Sequence, residues 1–241
     1  KCVIIISMKS KLVSRCCSMP LPKTVTRGAV ILVVLLFSSP MLFSIDFQGV
    51  EVDYSLRIIE SEQSDLEDDS TGMVWTNVFA VRLPIELPHP RLSFVPGVSF
   101  TSMYYRYDAE LQRAVPTDVE WRELTALVPI LDFNLRWEFA KNKWGRYSAE
   151  AGLGFNLPLP VKTWESGAAG NSGKILPALY SDAQFVLPEL AVQAAWPLTE
   201  KFDLFLRFSG YVPIYHAWDG KGLPFTDGLT GSIHLGAYFP F

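Results

Sequence analysis

Residues 45–241 contain no cysteine, because the chain's three (Cys2, Cys16, Cys17) all precede them. That stretch can form no disulfide and no thiolate metal site. Histidine is nearly as scarce, with only His89, His216 and His234, too few for a metal centre of the His/Cys type. Long apolar runs are missing too: none reaches the roughly 18 residues of a membrane-spanning helix. Positive charge runs short after residue 44. Of 21 Lys and Arg, six (Lys1, Lys9, Lys11, Arg15, Lys23, Arg27) lie in residues 1–44, where there is no acid. The remainder carries 15 basic against 25 acidic residues, a net charge of -10. Phosphate neutralisation needs clustered Lys and Arg, so nucleic acid is not expected as a partner. With 49% hydrophobic and 19% charged residues, the chain is also too apolar to be disordered.

Residues 1–44 carry a targeting pattern. Ala29 to Phe37 reads AVILVVLLF, preceded by Lys23 and Arg27 and followed by Ser38, Ser39 and Pro40. A basic flank, a short apolar block and small residues after it describe a secretory signal peptide. Cleavage is expected after Ser44 and a start at Met19, with residues 1–18 an upstream extension. An uncleaved anchor is the competing reading, but the block is well short of the roughly 20 residues a span needs. No cysteine follows the block, which excludes a lipoprotein signal. Residues 45–241 then form one domain.

In that domain apolar side chains recur at every second position, the mark of strands with two unlike faces. Val50, Val52, Tyr54, Leu56 and Ile58 alternate with Glu51, Asp53, Ser55 and Arg57. Seven more segments follow: Trp75 to Leu87, Leu92 to Tyr104, Leu127 to Phe139, Tyr147 to Leu159, Val186 to Trp196, Phe202 to Val212, and Leu229 to Phe241. Their connections alternate strictly. Three are short (88–90, 140–146, 197–201) and four are long (60–72, 108–116, 162–177, 216–228). Short turns at one end and long loops at the other predict an all-β fold, an eight-stranded antiparallel up-and-down transmembrane β-barrel. A soluble β-sandwich is the alternative, although its turns would not sort by length. Seven prolines (Pro84, Pro96, Pro129, Pro158, Pro188, Pro213, Pro240) count against the barrel, since proline cannot donate to a ladder; bulges or strand ends are expected to absorb them.

Strand direction sorts the inward positions by height. The turn-side half collects Glu51, Asp53, Arg82, Glu86, Asp132, Arg136, Glu138, Glu150, Glu189, Gln193, Asp203, Arg207 and His234. Charge buried there must be paired, so these residues predict a salt-bridged plug. The loop-side half collects Val78, Ala80, Met103, Tyr105, Leu124, Ala126, Val128, Ile130, Phe185, Leu187, Tyr211 and Tyr215. They predict an apolar cup open to the outside, in a barrel just wide enough for one small ligand. The segment His234-Leu235-Gly236-Ala237-Tyr238-Phe239-Pro240-Phe241 resembles the terminal-strand signal of outer-membrane barrels, with His234, Gly236, Phe239 and Phe241 as its marks; the barrel assembly machinery is then a partner.

Together the signal peptide, the eight segments, the closing phenylalanine and an apolar lumen over a polar floor resemble the OmpW family of small outer-membrane barrels. The resemblance spans about residues 45–241. It implies an outer-membrane location in contact with lipid, passage or binding of small hydrophobic molecules, and a lateral exit through the wall, which Pro129, Pro158 and Pro188 would loosen. A wide porin is not expected, since such channels need about 16 strands. The alternative is a surface-exposed adhesin or host-interaction barrel, similar to the OmpX type, acting on host surface components through its long loops. The first loop holds Glu60, Glu62, Asp65, Glu67, Asp68 and Asp69. It lacks the spacing of an EF-hand and reads as a solvated loop rather than a cation site. Residues 164–173 read as flexible. His216 and Asp219 could pair as acid and base, but no nucleophile motif accompanies them, so neither an enzyme nor a cofactor is expected.

Overall fold

The period-two pattern becomes a ring of paired strands in a computed structural model that describes residues 46–61, 72–164, 172–220 and 222–241. The expected signal segment with Met19 and Ser44, the acidic run beyond Glu60, and residues 165–171 of the third long loop lie outside the described residues. The strands are β1 (Gly49–Ser61), β2 (Gly72–Arg82), β3 (Ile85–Glu86), β4 (Leu92–Asp108), β5 (Arg113–Pro116), β6 (Leu124–Asn142), β7 (Gly145–Asn156), β8 (Leu159–Thr163), β9 (Val186–Thr199), β10 (Phe202–Tyr211) and β11 (Thr230–Pro240). An α-helix, α1 (Ser172–Leu179), follows β8.

Every pairing is antiparallel, and each wall strand pairs with its neighbours in chain order. β11 returns to β1, in register from Gly49↔Pro240 to Ile59↔Thr230, and closes the ring. β2 and β3 form one wall strand interrupted at Leu83-Pro84, and β7 and β8 another interrupted at Leu157-Pro158. β5 lies outside the wall, which leaves eight wall strands. The fold is the expected closed eight-stranded antiparallel barrel.

Burial excludes the sandwich as well. On β1 the inward residues are Glu51, Asp53, Ser55 and Arg57, all buried, while Tyr54 and Leu56 are exposed. The same inversion runs round the ring: Leu190 is 60% and Leu235 63% exposed, whereas Glu189 and His234 are 1% exposed. Charged and polar groups fill the turn-side interior, and apolar side chains coat the outside.

The prolines fall into facing pairs. In an antiparallel strand a residue's N–H and C=O point to the same neighbour. The Pro96 carbonyl accepts from Leu83 N at 2.9 Å, that of Pro129 from Leu157 N at 2.9 Å, and that of Pro188 from Val212 N at 3.0 Å. Each missing N–H therefore faces a stretch that itself runs into Pro84, Pro158 or Pro213. Six of the seven prolines are absorbed as three shared gaps, opposite the ends of β2, β7 and β10.

The ladder is thinnest elsewhere. β2 and β4 share only the pairs from Val78↔Thr101 to Arg82↔Gly97, while β1 and β2 pair along all of β2. Above Val78 the two strands are joined by side chains: Thr76 Oγ1 lies 2.6 Å from Thr101 Oγ1 and donates to Ser102 O at 3.1 Å. Tyr105 pairs with Leu124 of β6 and with Pro116 of β5, so β5 occupies the edge of β4 that β2 leaves open. The second long loop is thus a hairpin that folds across the mouth.

Candidate functional site

Alternation sends one residue in two from each strand into the lumen, and eight strands bring these into contact across the ring. The turn-side half holds a continuous ion-pair layer. Arg136 of β6 donates to both oxygens of Glu51 on β1 (2.6 and 2.7 Å) and to Glu150 of β7 (2.7 Å). Arg207 of β10 donates to Glu150 (3.0 Å) and Glu189 (2.7 Å), and Asn134 completes Glu189 at 2.6 Å. Arg82 of β2 is paired with Asp53 of β1. The other Asp53 oxygen meets His234 Nδ1 at 2.8 Å, and His234 Nε2 meets Ser209 Oγ at 2.9 Å. Asp132 accepts from Ser99 Oγ and Tyr211 Oη, each at 3.0 Å. Every wall strand contributes, and all these side chains are buried or nearly so.

The sequence-predicted plug residues are therefore brought together, with three exceptions. Glu86 sits exposed on β3 near the short turns, because the interruption at Pro84 turns it out of the lumen. Glu138 is half-buried near the same end, with no salt bridge among the described residues. Asp203 pairs with Arg146 at 2.5 Å, separate from the network, where both are more accessible. His234 and Gly236, read as parts of an assembly signal, also have packing roles: a Cβ on Gly236 would lie 2.6 Å from Asp53 Cβ, against the buried ring of Phe205.

The loop-side half is apolar as predicted but is not an open cup. Met103, Leu124, Ala126, Val128 and Ile130 gather with Ile59, Tyr105 and Ala114 around Ile175 of α1, which is fully buried. The helix was not read from the sequence, where 162–177 counted as a long connection; it is short and holds Pro177, although Ala178 and Leu179 pack on the cluster beside Ile175. Val78, Leu187 and Tyr211 are buried beside or below this cluster, while Phe185 and Tyr215 are half-buried. A cavity of about 100 Å³ remains, bordered by Arg57, Ser61, Met103, Phe185, Leu187, Tyr211 and Tyr215 among others.

A clamp that sequence reasoning missed closes the loop end. Arg113 of β5 donates through both terminal nitrogens to Asp227, 114 residues away. His216 Nε2 lies 2.8 Å from Asp227 O, and its Nδ1 lies 2.8 Å from Asp219 Oδ2. Both ring nitrogens face acceptors in a buried setting, so the pair considered as acid and base is a loop fastener. Burial, and then the Asp227 carboxylate, push the Tyr215 hydroxyl above the usual tyrosine range. Arg122 stacks over Trp164 at 4.1 Å, with Lys162 Nζ 3.6 Å from the same ring. Among the described residues no group of three His, Cys, Asp or Glu is placed to hold a metal ion.

A polar, ion-paired interior inside an apolar coat defines a small closed antiparallel barrel of the kind that membranes hold. No family model and no curated protein matches the chain. Among solved structures it is similar to Neisserial surface protein A, at 11% identity over 81% of this chain and 99% of that one, with a TM-score of 0.44. It is also similar to Ail, the attachment invasion locus protein of Yersinia pestis, in complex with the heparin analogue sucrose octasulfate (10% identity, 81% and 98% coverage, TM-score 0.39). A de novo designed transmembrane β-barrel matches at 9% identity over 82% of this chain and 99% of that one, with a TM-score of 0.35.

Proposed function

We propose that the chain is an outer-membrane barrel that acts at the cell surface through its loop end and does not pass solutes. The observation that carries this reading is the ion-pair layer, to which seven of the eight wall strands bring charged side chains and β4 adds Ser99, and which spans the lumen from wall to wall. The coat supports the membrane: aliphatic residues such as Leu190 and Leu235 lie at mid-strand, with Trp75 near the loop end and Trp137 and Phe239 near the turn end. Such aromatic girdles sit at the two interfaces of membrane barrels. The loop end then faces outward. Its partner is an anionic component of another surface, a sulfated glycan being the chemical type, met by Arg122 and Lys162 on the Trp164 ring.

Two measurements on the full chain in lipid test this. In a planar bilayer no conductance steps are expected. On immobilised heparin, proteoliposomes carrying the protein should bind in a salt-sensitive way, and the double variant Arg122→Ala, Lys162→Ala should bind less. Steady conductance steps, or binding indifferent to that variant, would overturn the reading. The OmpW-type reading, with a hydrophobic molecule in the upper lumen, keeps one support, the partly apolar cavity beside α1.

A further inference from the structure

Arg57 is the lumen arginine outside the ion-pair layer. It is 3% exposed. Its Nε donates to Ser232 Oγ at 3.3 Å, and its guanidinium lies 4.9 Å from the centre of the Tyr211 ring. Among the described residues it has no carboxylate in salt-bridge contact, and its two terminal nitrogens have no hydrogen-bond partner. Asp132 is held by the Tyr211 hydroxyl and by Ser99 and makes no salt bridge to Arg57. Arg82, Arg136 and Arg207, by contrast, all have carboxylate partners. Arginine does not shed its charge in proteins, so Arg57 keeps a positive charge at the lumen wall with no carboxylate paired to it.

Arg57 borders the cavity of about 100 Å³ beside α1. Ser61, two turns of the β-pleat further along the same face, borders it too, and its buried hydroxyl has no hydrogen-bond partner. The other cation on the border, Arg113, is neutralised by Asp227. Met103, Leu187 and Phe185 give the border an apolar part, and Asn156 and Gln184 add neutral polar groups to it. The space thus offers a guanidinium fork and a hydroxyl donor together with hydrocarbon surface. A fork suits the two oxygens of a carboxylate. The volume is somewhat below the roughly 150 Å³ of a cavity that takes benzene, which limits the guest to about four to six heavy atoms.

We propose that this cavity binds a small organic carboxylate, with Arg57 taking the charged end and Met103, Leu187 and Phe185 covering a short apolar body. The site is independent of the surface-binding role, since neither Arg122 nor Lys162 borders it.

The test is a thermal-unfolding titration of the full chain, folded in a non-ionic detergent, with butyrate, butanol and inorganic phosphate as probes. A ligand that binds only the folded form raises the unfolding temperature saturably. Butyrate should do so, and butanol and phosphate should not. Arg57→Met should weaken the butyrate effect about ten- to hundredfold, the range for losing a charge-assisted hydrogen-bonded pair. Without probe this variant should unfold at or above the wild-type temperature, because it orphans no paired carboxylate. Met103→Trp, which fills the apolar end and leaves Arg57 in place, should also abolish the shift. An equal shift with butanol, a shift with phosphate alone, no shift with any probe, or an undiminished shift in Arg57→Met would each overturn the proposal.

Discussion

Glu150 shows how much one residue can hold. It bridges Arg136 and Arg207 from inside a lumen where all three side chains are largely or wholly withdrawn from solvent. Removing one member of a buried pair leaves the others charged and short of partners, which costs about 3–5 kcal/mol. Asp203 is also paired, with Arg146, but near the turn end where the arginine is a third exposed. Such a pair contributes about 0–1 kcal/mol. We therefore expect Glu150→Ala to lower the urea midpoint of the lipid-embedded barrel substantially, and Asp203→Ala to leave it nearly unchanged. Equal effects would mean that the lumen layer is wet. The charges of this layer were legible in the sequence because strand periodicity fixes which way each one points. Arg113 and Asp227 were not, because they sit on separate loop-end segments where no periodicity applies.

At the scale of elements, the contrast lies between α1 and the wall. The helix spans Ser172–Leu179 and is anchored by Ile175, which plugs the apolar cluster while the wall ladder closes without it. Ile175→Asp should consequently release the helix and leave the barrel folded. Tryptic cleavage after Lys174 should become much faster, while the strand content seen by circular dichroism stays constant. Loss of both signals together would make α1 part of the folding core. The wall prolines teach a related lesson. The sequence shows their number, but their pairing across neighbouring strands needs the register, which is set by which residues face each other rather than by any one segment. The resemblance implied a wall loosened at Pro129, Pro158 and Pro188, which do lie at shared gaps, while the wall seam with the fewest residue pairs joins β2 and β3 to β4.

For the whole molecule, the inverted burial is the property that separates a membrane barrel from a soluble one. Leu235 lies at mid-height on β11, paired with Tyr54 on one side and Leu206 on the other, and faces outward. In a bilayer, Leu235→Arg should cost about 2–4 kcal/mol, as at a bilayer midplane. In water the same change on an exposed position would be close to neutral. Folding free energies measured in lipid vesicles decide between the two, and a negligible cost would remove the membrane from the account. This inversion was readable in the sequence because membrane and lumen impose opposite demands on alternate residues. The filled mouth was not, because a helix and a hairpin of few residues leave no such alternation. The ion-pair layer has one more consequence, and it concerns the order of events. Glu51 meets Arg136 across 85 positions of the chain, and Asp53 meets His234 across 181. A sheet short of its last strand would hold Asp53 without His234, and one opened at any seam would show unsatisfied carboxylates to hydrocarbon. The interior therefore works as a proofreading step on ring closure, admitting the finished circle and penalising every partial one.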